Sequence, residues 1–110
     1  MKVKVVAKDI GMPSRKVRRV VDMVRGKKVE EALTVLRFMP SPAARAVAKV
    51  VKSAAANAEN NYQTPVQSLR IAAIYADEAR TTKRFRPQSR GRISPILKRA
   101  SHVTVLVEED

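Results

Sequence analysis

The chain has 110 residues, carries 23 Lys and Arg against 10 Asp and Glu, and has a formal net charge of +13. It contains no cysteine, which excludes disulfides and thiolate metal sites. No apolar run approaches the roughly 20 residues of a membrane span, and the start of the sequence lacks the apolar core of a signal peptide. We therefore expect one intracellular domain over residues 1–110, with a polyanionic partner.

The first predicted element is a strand over residues 2–8, where valines and lysines alternate. A helix follows, and we expect Ser14 to be its N-cap and Gly26 to follow its end. The apolar stripe of this helix has helical spacing and consists of Val17, Val20, Val21 and Val24. Its arginines lie mostly on other faces, so they can reach a partner.

Two more helices are predicted in the middle of the chain. One covers residues 29–38, and the other begins after Ser41, has Pro42 in its first turn and runs to about Asn61. The residues expected to be buried on this third helix are Val47, Val50, Val51, Ala54 and Ala58. The residues expected to form its solvated stripe are Arg45, Lys49 and Lys52.

The C-terminal part of the chain predicts two antiparallel strands, over residues 68–77 and 101–108. In the first strand, Leu69, Ile71, Ala73 and Tyr75 are expected on one face by strict alternation. In the second, the residues expected on one face are Val103, Val105 and Val107.

The segment 79–100, between these strands, is too long for an ordinary hairpin loop. It is either a disordered basic loop or an outward continuation of both strands, as an arm that reaches about 30 Å from the body. We expect the loop in the free protein and the ordered arm when folded RNA surrounds it. Pro87 and Pro95 lack amide donors and are expected to interrupt regular strand pairing.

The element order predicts the fold class. Strand, three helices and two strands indicate an α+β fold with three helices packed on a small antiparallel three-stranded sheet. A long protruding β-hairpin arm, at about 79–100, completes the prediction.

The positive charge falls in two blocks. Residues 1–28 hold ten Lys and Arg with two acids, residues 29–78 hold five of each, and residues 79–107 hold eight Lys and Arg with no acid. Two blocks predict two contact regions on one large anion, or one continuous face after folding. Guanidinium groups suit phosphate contacts and stacking on exposed bases. The residues expected to bind RNA are Arg15, Lys16, Arg18, Arg19, Arg25, Lys27, Lys28, Arg80, Lys83, Arg84, Arg86, Arg90, Arg92, Lys98 and Arg99.

Other functions have less support. The one histidine, His102, has no cysteine as a partner in catalysis or metal binding. We therefore expect no enzyme, no metal site and no cofactor. A helix-turn-helix is the main rival, because residues 15–36 are helix, Gly-containing turn and helix. Its second helix would read DNA, yet that helix begins with Glu30 and Glu31. Membrane binding would need bulky apolar residues where the first helix has valines.

Three motifs carry a family resemblance. They are "SRKVRRVVDMVRGKKVEEAL" at 14–33, "SAAANAENN" at 53–61, and a stretch that runs from Lys83 through "SRGR" to "ILKRASHVTVLV". With these motifs the chain resembles, over nearly its whole length, the large-subunit ribosomal protein family numbered twenty-two, of bacterial or organellar type. One departure is Gln88, which stands where the family commonly has a basic residue.

The resemblance implies a structural component of the large ribosomal subunit, in the cytoplasm or an organellar matrix. Such a protein binds large-subunit ribosomal RNA, supports subunit assembly and lines the nascent-polypeptide exit tunnel with its β-hairpin. The implied partners also include neighbouring ribosomal proteins, among them protein four near the tunnel constriction, and the nascent polypeptide, with no membrane and no homo-oligomer. By matching position, the hairpin tip comprises Lys83, Arg84, Phe85, Arg86, Pro87, Gln88, Ser89 and Arg90.

Overall fold

The computed structural model describes residues 2–87 and 93–109, and it describes side chains outside the segment 82–98. In this part of the chain three helices lie between a first strand and four later ones. The elements are β1 (Lys2–Ile10), α1 (Ser14–Val24), α2 (Val29–Phe38), α3 (Pro42–Tyr62), a 3-10 turn (Val66–Ser68), β2 (Leu69–Glu78), β3 (Thr82–Pro87), β4 (Ile93–Lys98) and β5 (Ser101–Glu109).

The body is an antiparallel sheet of three strands in the order β1-β5-β2, with helices packed on one face. The helix α1 contacts β2, whereas α3 contacts β1 and β5, and α2 packs against α3. A second, two-stranded sheet is formed by β3 and β4. The predicted α+β class, with three helices on a three-stranded sheet and a β-hairpin arm, is confirmed.

Valine and alanine stripes build the core between helices and sheet. The stripe of α1 is buried as predicted, and so are all five apolar residues predicted on α3. From the sheet, Val103, Val105 and Val107 of β5 meet them and have no exposed surface. Each such side chain stabilises the fold by about 1.5–3 kcal/mol relative to leaving it in water. Small side chains let the helices approach the sheet closely.

The start of α1 differs from the prediction. The N-cap is Pro13, and Ser14 is the first helical residue, with 6% of its surface exposed. The reason is that the carbonyl of Pro13 accepts the first helical hydrogen bonds, from the amides of Lys16 at 3.1 Å and Val17 at 3.3 Å. The predicted end is confirmed, because the helix ends before Gly26, whose φ is +78°.

The strict alternation predicted for β2 is wrong beyond Ile71. Opposite β5, Ile71 pairs with Val107 and Ala73 pairs with Leu106, so Ala72 is an extra residue and forms a β-bulge. The bulge shifts the buried set to Ile74, which is 1% exposed, and leaves Tyr75 43% exposed. One inserted residue therefore moves every later side chain to the opposite face.

The arm continues the pairing of β2 with β5. Beyond these strands the amide of Ala79 donates to the carbonyl of Ala100 at 3.0 Å, and β3 then pairs with β4 from Thr82↔Lys98 to Pro87↔Ile93. The chain is elongated as a result, with a radius of gyration of 16.9 Å where a compact chain of this length would have about 13 Å.

The expectation that prolines would interrupt the arm is wrong for the described ladder. Pro87 pairs with Ile93 and Pro95 pairs with Phe85, and the register does not shift between these pairs. In a two-stranded ribbon both strands are edges, so a proline can sit where its nitrogen faces away from the partner strand. The part of the predicted tip after Pro87, namely Gln88, Ser89 and Arg90, lies outside the described residues.

Gly26 and Gly11 give a matched test of the turn after α1. Replacing Gly26 with alanine should lower the free energy of unfolding by about 1–2 kcal/mol, since an L side chain is strained in the left-handed region. A Cβ at either position would meet no atom within 4 Å, and Gly11 has no positive φ. Gly11→Ala should therefore leave the stability unchanged or raise it slightly. Equal urea midpoints for the two variants would contradict this account.

Candidate nucleic-acid interface

The exposed side of α1 is strongly cationic. Because the four valines occupy the buried stripe, the side chains of Arg15, Lys16, Arg18 and Arg19 lie on the exposed surface. No acid lies in the first turn of this helix. Arg15 and Arg19 lie four residues apart in the helix, so these cations are gathered within about 6 Å of helix axis.

Two arginines of the predicted set also donate hydrogen bonds to backbone carbonyls at the edge of the sheet. The Nε of Arg18 donates to the carbonyl of Ala76 at 2.9 Å, and a terminal nitrogen of Arg25 donates to the carbonyl of Ile74 at 3.0 Å. The strand β2 is an edge strand, and edge carbonyls are a template for unwanted pairing unless they are covered. These two side chains therefore stabilise the fold as well as adding positive charge.

The turn after α1 covers the beginning of this edge strand. The amide of Ile71 donates to the carbonyl of Lys27 at 2.9 Å, and Lys28 forms an antiparallel bridge with Arg70. Lys27 also shares a shallow depression with Glu30 and Glu31. The positive potential is therefore weaker at this end of α1 than at its beginning.

The two charge blocks meet at the base of the arm. A cleft of about 540 Å³ is lined by Arg15 and Arg18 from α1 and by Arg99 from the segment before β5. Ser14 and Glu78 also line it. Two residues, Arg80 and Thr81, lie opposite the single Arg99 between the Ala79–Ala100 bond and the Thr82↔Lys98 pair. At this irregular point Arg99 lies in the same cleft as Arg15 and Arg18.

The remaining predicted residues lie farther out on the arm. The backbone places Lys83, Arg84 and Arg86 in β3, opposite Leu97, Ile96 and Ser94. Lys98 ends β4. Arg90 and Arg92 lie outside the described residues. The assignment of all fifteen cations to RNA contact stays a prediction.

His102 has a structural contact. Its Nδ1 accepts a hydrogen bond from the amide of Asp9 at 3.1 Å. Asp9 has a φ of +56° and sits with Lys8 in a bulge, where two residues of β1 oppose one residue of β5. The imidazole thus satisfies an amide that the bulge removes from the ladder.

The predicted set omits four cations that the structure brings together. Arg37 of α2 and Arg45, Lys49 and Lys52 of α3 line one groove on the helical side of the body. The spacing of the three residues on α3, at i, i+4 and i+7, was the sequence signal for a shared face. Arg37 belongs to another helix, so only the packing of α2 on α3 reveals the full group.

The described residues offer neither a metal site nor a membrane span. In residues 2–87 and 93–109, as far as side chains are described, no group of three or more His, Asp or Glu is placed to hold a metal ion. None of the helices in this part of the chain is long and apolar enough to cross a membrane.

Comparison with known proteins decides the family. Residues 5–108 match the family described as "Ribosomal protein L22p/L17e". The chain belongs to this ribosomal protein family. "Large ribosomal subunit protein uL22" of Dehalococcoides mccartyi is 64% identical over 109 residues, which cover 99% of this chain and 100% of the relative. The proteins of the same name from Latilactobacillus sakei and Clostridium novyi are 52% and 50% identical, over 94% and 99% of this chain and 88% and 98% of theirs.

Membership in the L22 family confirms two expectations. The resemblance drawn from the three motifs is correct, and its coverage of nearly the whole chain agrees with the matched range of 5–108. The family consists of structural ribosomal proteins, so the expectation that the chain is not an enzyme is also confirmed.

Arg18 and Arg19 separate the two roles of α1. Arg18→Ala should lower the free energy of unfolding by about 1 kcal/mol, because it removes the hydrogen bond to the edge carbonyl of Ala76. Arg19→Ala, at an exposed position of the same helix, should change stability by no more than about 0.5 kcal/mol. Urea unfolding of both variants measures this difference, and equal losses would mean that the edge contact contributes nothing.

Proposed function

We propose that the protein binds large-subunit ribosomal RNA through α1 and the arm, supports assembly of the subunit, and lines the nascent-polypeptide exit tunnel with the hairpin. The coarser statement, that it is a structural protein of the large ribosomal subunit, follows from the family. Its place is therefore in the ribosome, in the cytoplasm.

The observation that carries the proposal is the continuity between the body and the arm. The ladder passes from β2 and β5 through the Ala79–Ala100 hydrogen bond into β3 and β4. The long dimension of the molecule is 62 Å, against 25 and 17 Å in the other directions. A basic ribbon that projects from the body can bury little of its apolar area within its own chain, so a surrounding polyanion is the environment that suits it.

The proposed mechanism is electrostatic and geometric. Cations at the beginning of α1 and in the cleft at the arm's base bind phosphates and fix the orientation of the body. The arm then enters between RNA segments and neutralises their mutual repulsion. Each phosphate contact releases counterions, so affinity should fall with salt by a log-log slope of roughly 0.7–0.9 per contact.

We also propose two further partners for the arm, a neighbouring ribosomal protein and the nascent polypeptide. In the tunnel the arm would lie near protein four at the constriction and would contact the nascent polypeptide. The arm suits such a position because two paired strands form a narrow, extended element that can reach away from the body.

An arm variant tests the RNA contact. Replacing Arg84, Arg86 and Arg90 together with alanine should reduce the salt slope of binding to purified large-subunit RNA by about 2, because three phosphate contacts are lost. The thermal midpoint of the free protein should stay nearly unchanged, since β3 and β4 form a sheet separate from that of the body. A large fall in this midpoint would show that the arm supports the body.

The matched control removes the same charge elsewhere. Lys2, Lys4 and Lys8 are exposed cations of β1 that are not part of the predicted set. Their joint replacement by alanine should reduce the slope less than the arm variant does. Equal reductions would mean that net charge alone governs binding, without a specific role for the arm.

A sedimentation experiment tests the function as a whole. The protein should co-sediment with the large ribosomal subunit at moderate salt, and it should bind structured RNA more tightly than duplex DNA at matched salt. Free protein at the top of the gradient above normal subunits, together with a preference for the duplex, would favour a DNA-binding regulator.

A further inference from the structure

Phe38 is an apolar residue in an unusual position. It is the last residue of α2 and is 75% exposed, the highest value among the described large hydrophobic residues. The guanidinium of Arg37 lies 5.9 Å from the centre of its ring, within range of a cation–π contact. The next residue, Met39, is partly buried against the core. The chain therefore directs one side chain inward and leaves the aromatic ring outside.

The turn that carries Phe38 is well defined. The amide of Met39 donates to the carbonyl of Leu36 at 3.3 Å, and the amide of Ser41 donates to the carbonyl of Met39 at 2.9 Å. Pro40 and Pro42 fix the backbone on either side of Ser41. A partner would therefore meet a pre-organised surface and would lose less entropy on binding.

Beside the ring lies the groove between α2 and α3, with a volume of about 850 Å³. Its apolar floor includes Leu33, Leu36 and Ala48, while its cations are Arg37, Arg45, Lys49 and Lys52. No described residue that lines it is acidic. Four of the five cations in the net-neutral segment 29–78 are thus gathered around one groove, and the five acids of that segment lie elsewhere.

We propose that this groove is a second RNA-binding site, in which an unstacked nucleotide places its base against Phe38 and its phosphates against the cations of α3. The inference rests on the proposed function, because it names a further contact with the same class of partner. The residues that line this groove come from α2, the turn after it and α3, so the site is separate from the cleft between α1 and the arm's base.

The chemistry of the groove favours a nucleotide over an acidic protein segment. A nucleotide combines a flat π surface with adjacent anions, and the groove presents an exposed aromatic ring and a guanidinium plane next to three further cations. Unstacked bases of RNA are typically held on such aromatic and guanidinium surfaces. Arg45, Lys49 and Lys52 extend over about 10 Å along α3, so they can follow a phosphate backbone.

The test uses the full chain with purified large-subunit RNA at several salt concentrations. Phe38→Ala and Phe38→Leu should both weaken binding by about five- to one-hundredfold, because neither side chain provides a stacking surface. The salt slope should stay unchanged in both, since stacking releases no counterions. Lys49→Ala should instead reduce the slope by just under 1. Tyr62→Ala removes another exposed aromatic, outside the groove, and should leave binding unchanged.

The outcomes separate this inference from the function on which it rests. If the unaltered protein fails to bind the RNA, both the proposed function and the proposed groove site are wrong. If the unaltered protein binds and both Phe38 variants bind equally well, only the groove is wrong. Full affinity in Phe38→Leu with a loss in Phe38→Ala would indicate an apolar contact and overturn stacking, as would an equal loss in Tyr62→Ala. The thermal midpoints of all variants should match, because the altered side chains are exposed.

Discussion

Every strand pairing in the body depends on β5. This strand lies between β1 and β2, and its valines and Thr104 are buried. Its two partner strands are far apart in the chain, since Val3 and Ile71 both pair with Val107. Closing such long loops has an entropic cost that only the completed sheet offsets. The valine stripes of α1 and α3 are buried only when this sheet exists, so helix packing and arm position both follow from β5.

Element types and buried stripes were predictable because each rests on a local pattern. The spacing of valines in α1 and alanines in α3 predicts which face of each helix is buried. Gly26 adopts the positive φ at the end of α1. The bulges at Ala72 and Asp9 were not predictable in this way. A bulge depends on how two strands distant in sequence fit together, so the alternation of residues within one strand does not predict it.

The candidate site also combines features that the sequence predicts with features that it does not. Exposure of the arginines on α1 follows from helical spacing, and so it could be predicted from the sequence. The hydrogen bonds of Arg18 and Arg25 to carbonyls of β2 could not, because they depend on where the edge strand lies. These bonds limit the freedom of two guanidinium groups before any partner arrives. RNA would therefore meet side chains that the fold has already oriented, which reduces the entropy lost on binding.

Repulsion among the cations of a chain with a net charge of +13 opposes folding, and the elongated shape reduces this repulsion. In a compact body the cations of residues 1–28 and 79–107 would lie close together and would oppose the folded state. The arm carries most of the second block along a molecule 62 Å long, whereas interactions between exposed charges are largely screened beyond about 10 Å at 0.1 M salt. Among the side chains that the structure describes, Arg15 and Arg18 of the first block still meet Arg99 of the second block in the cleft at the arm's base. The two blocks therefore repel each other at this cleft, where a bound phosphate would relieve the repulsion.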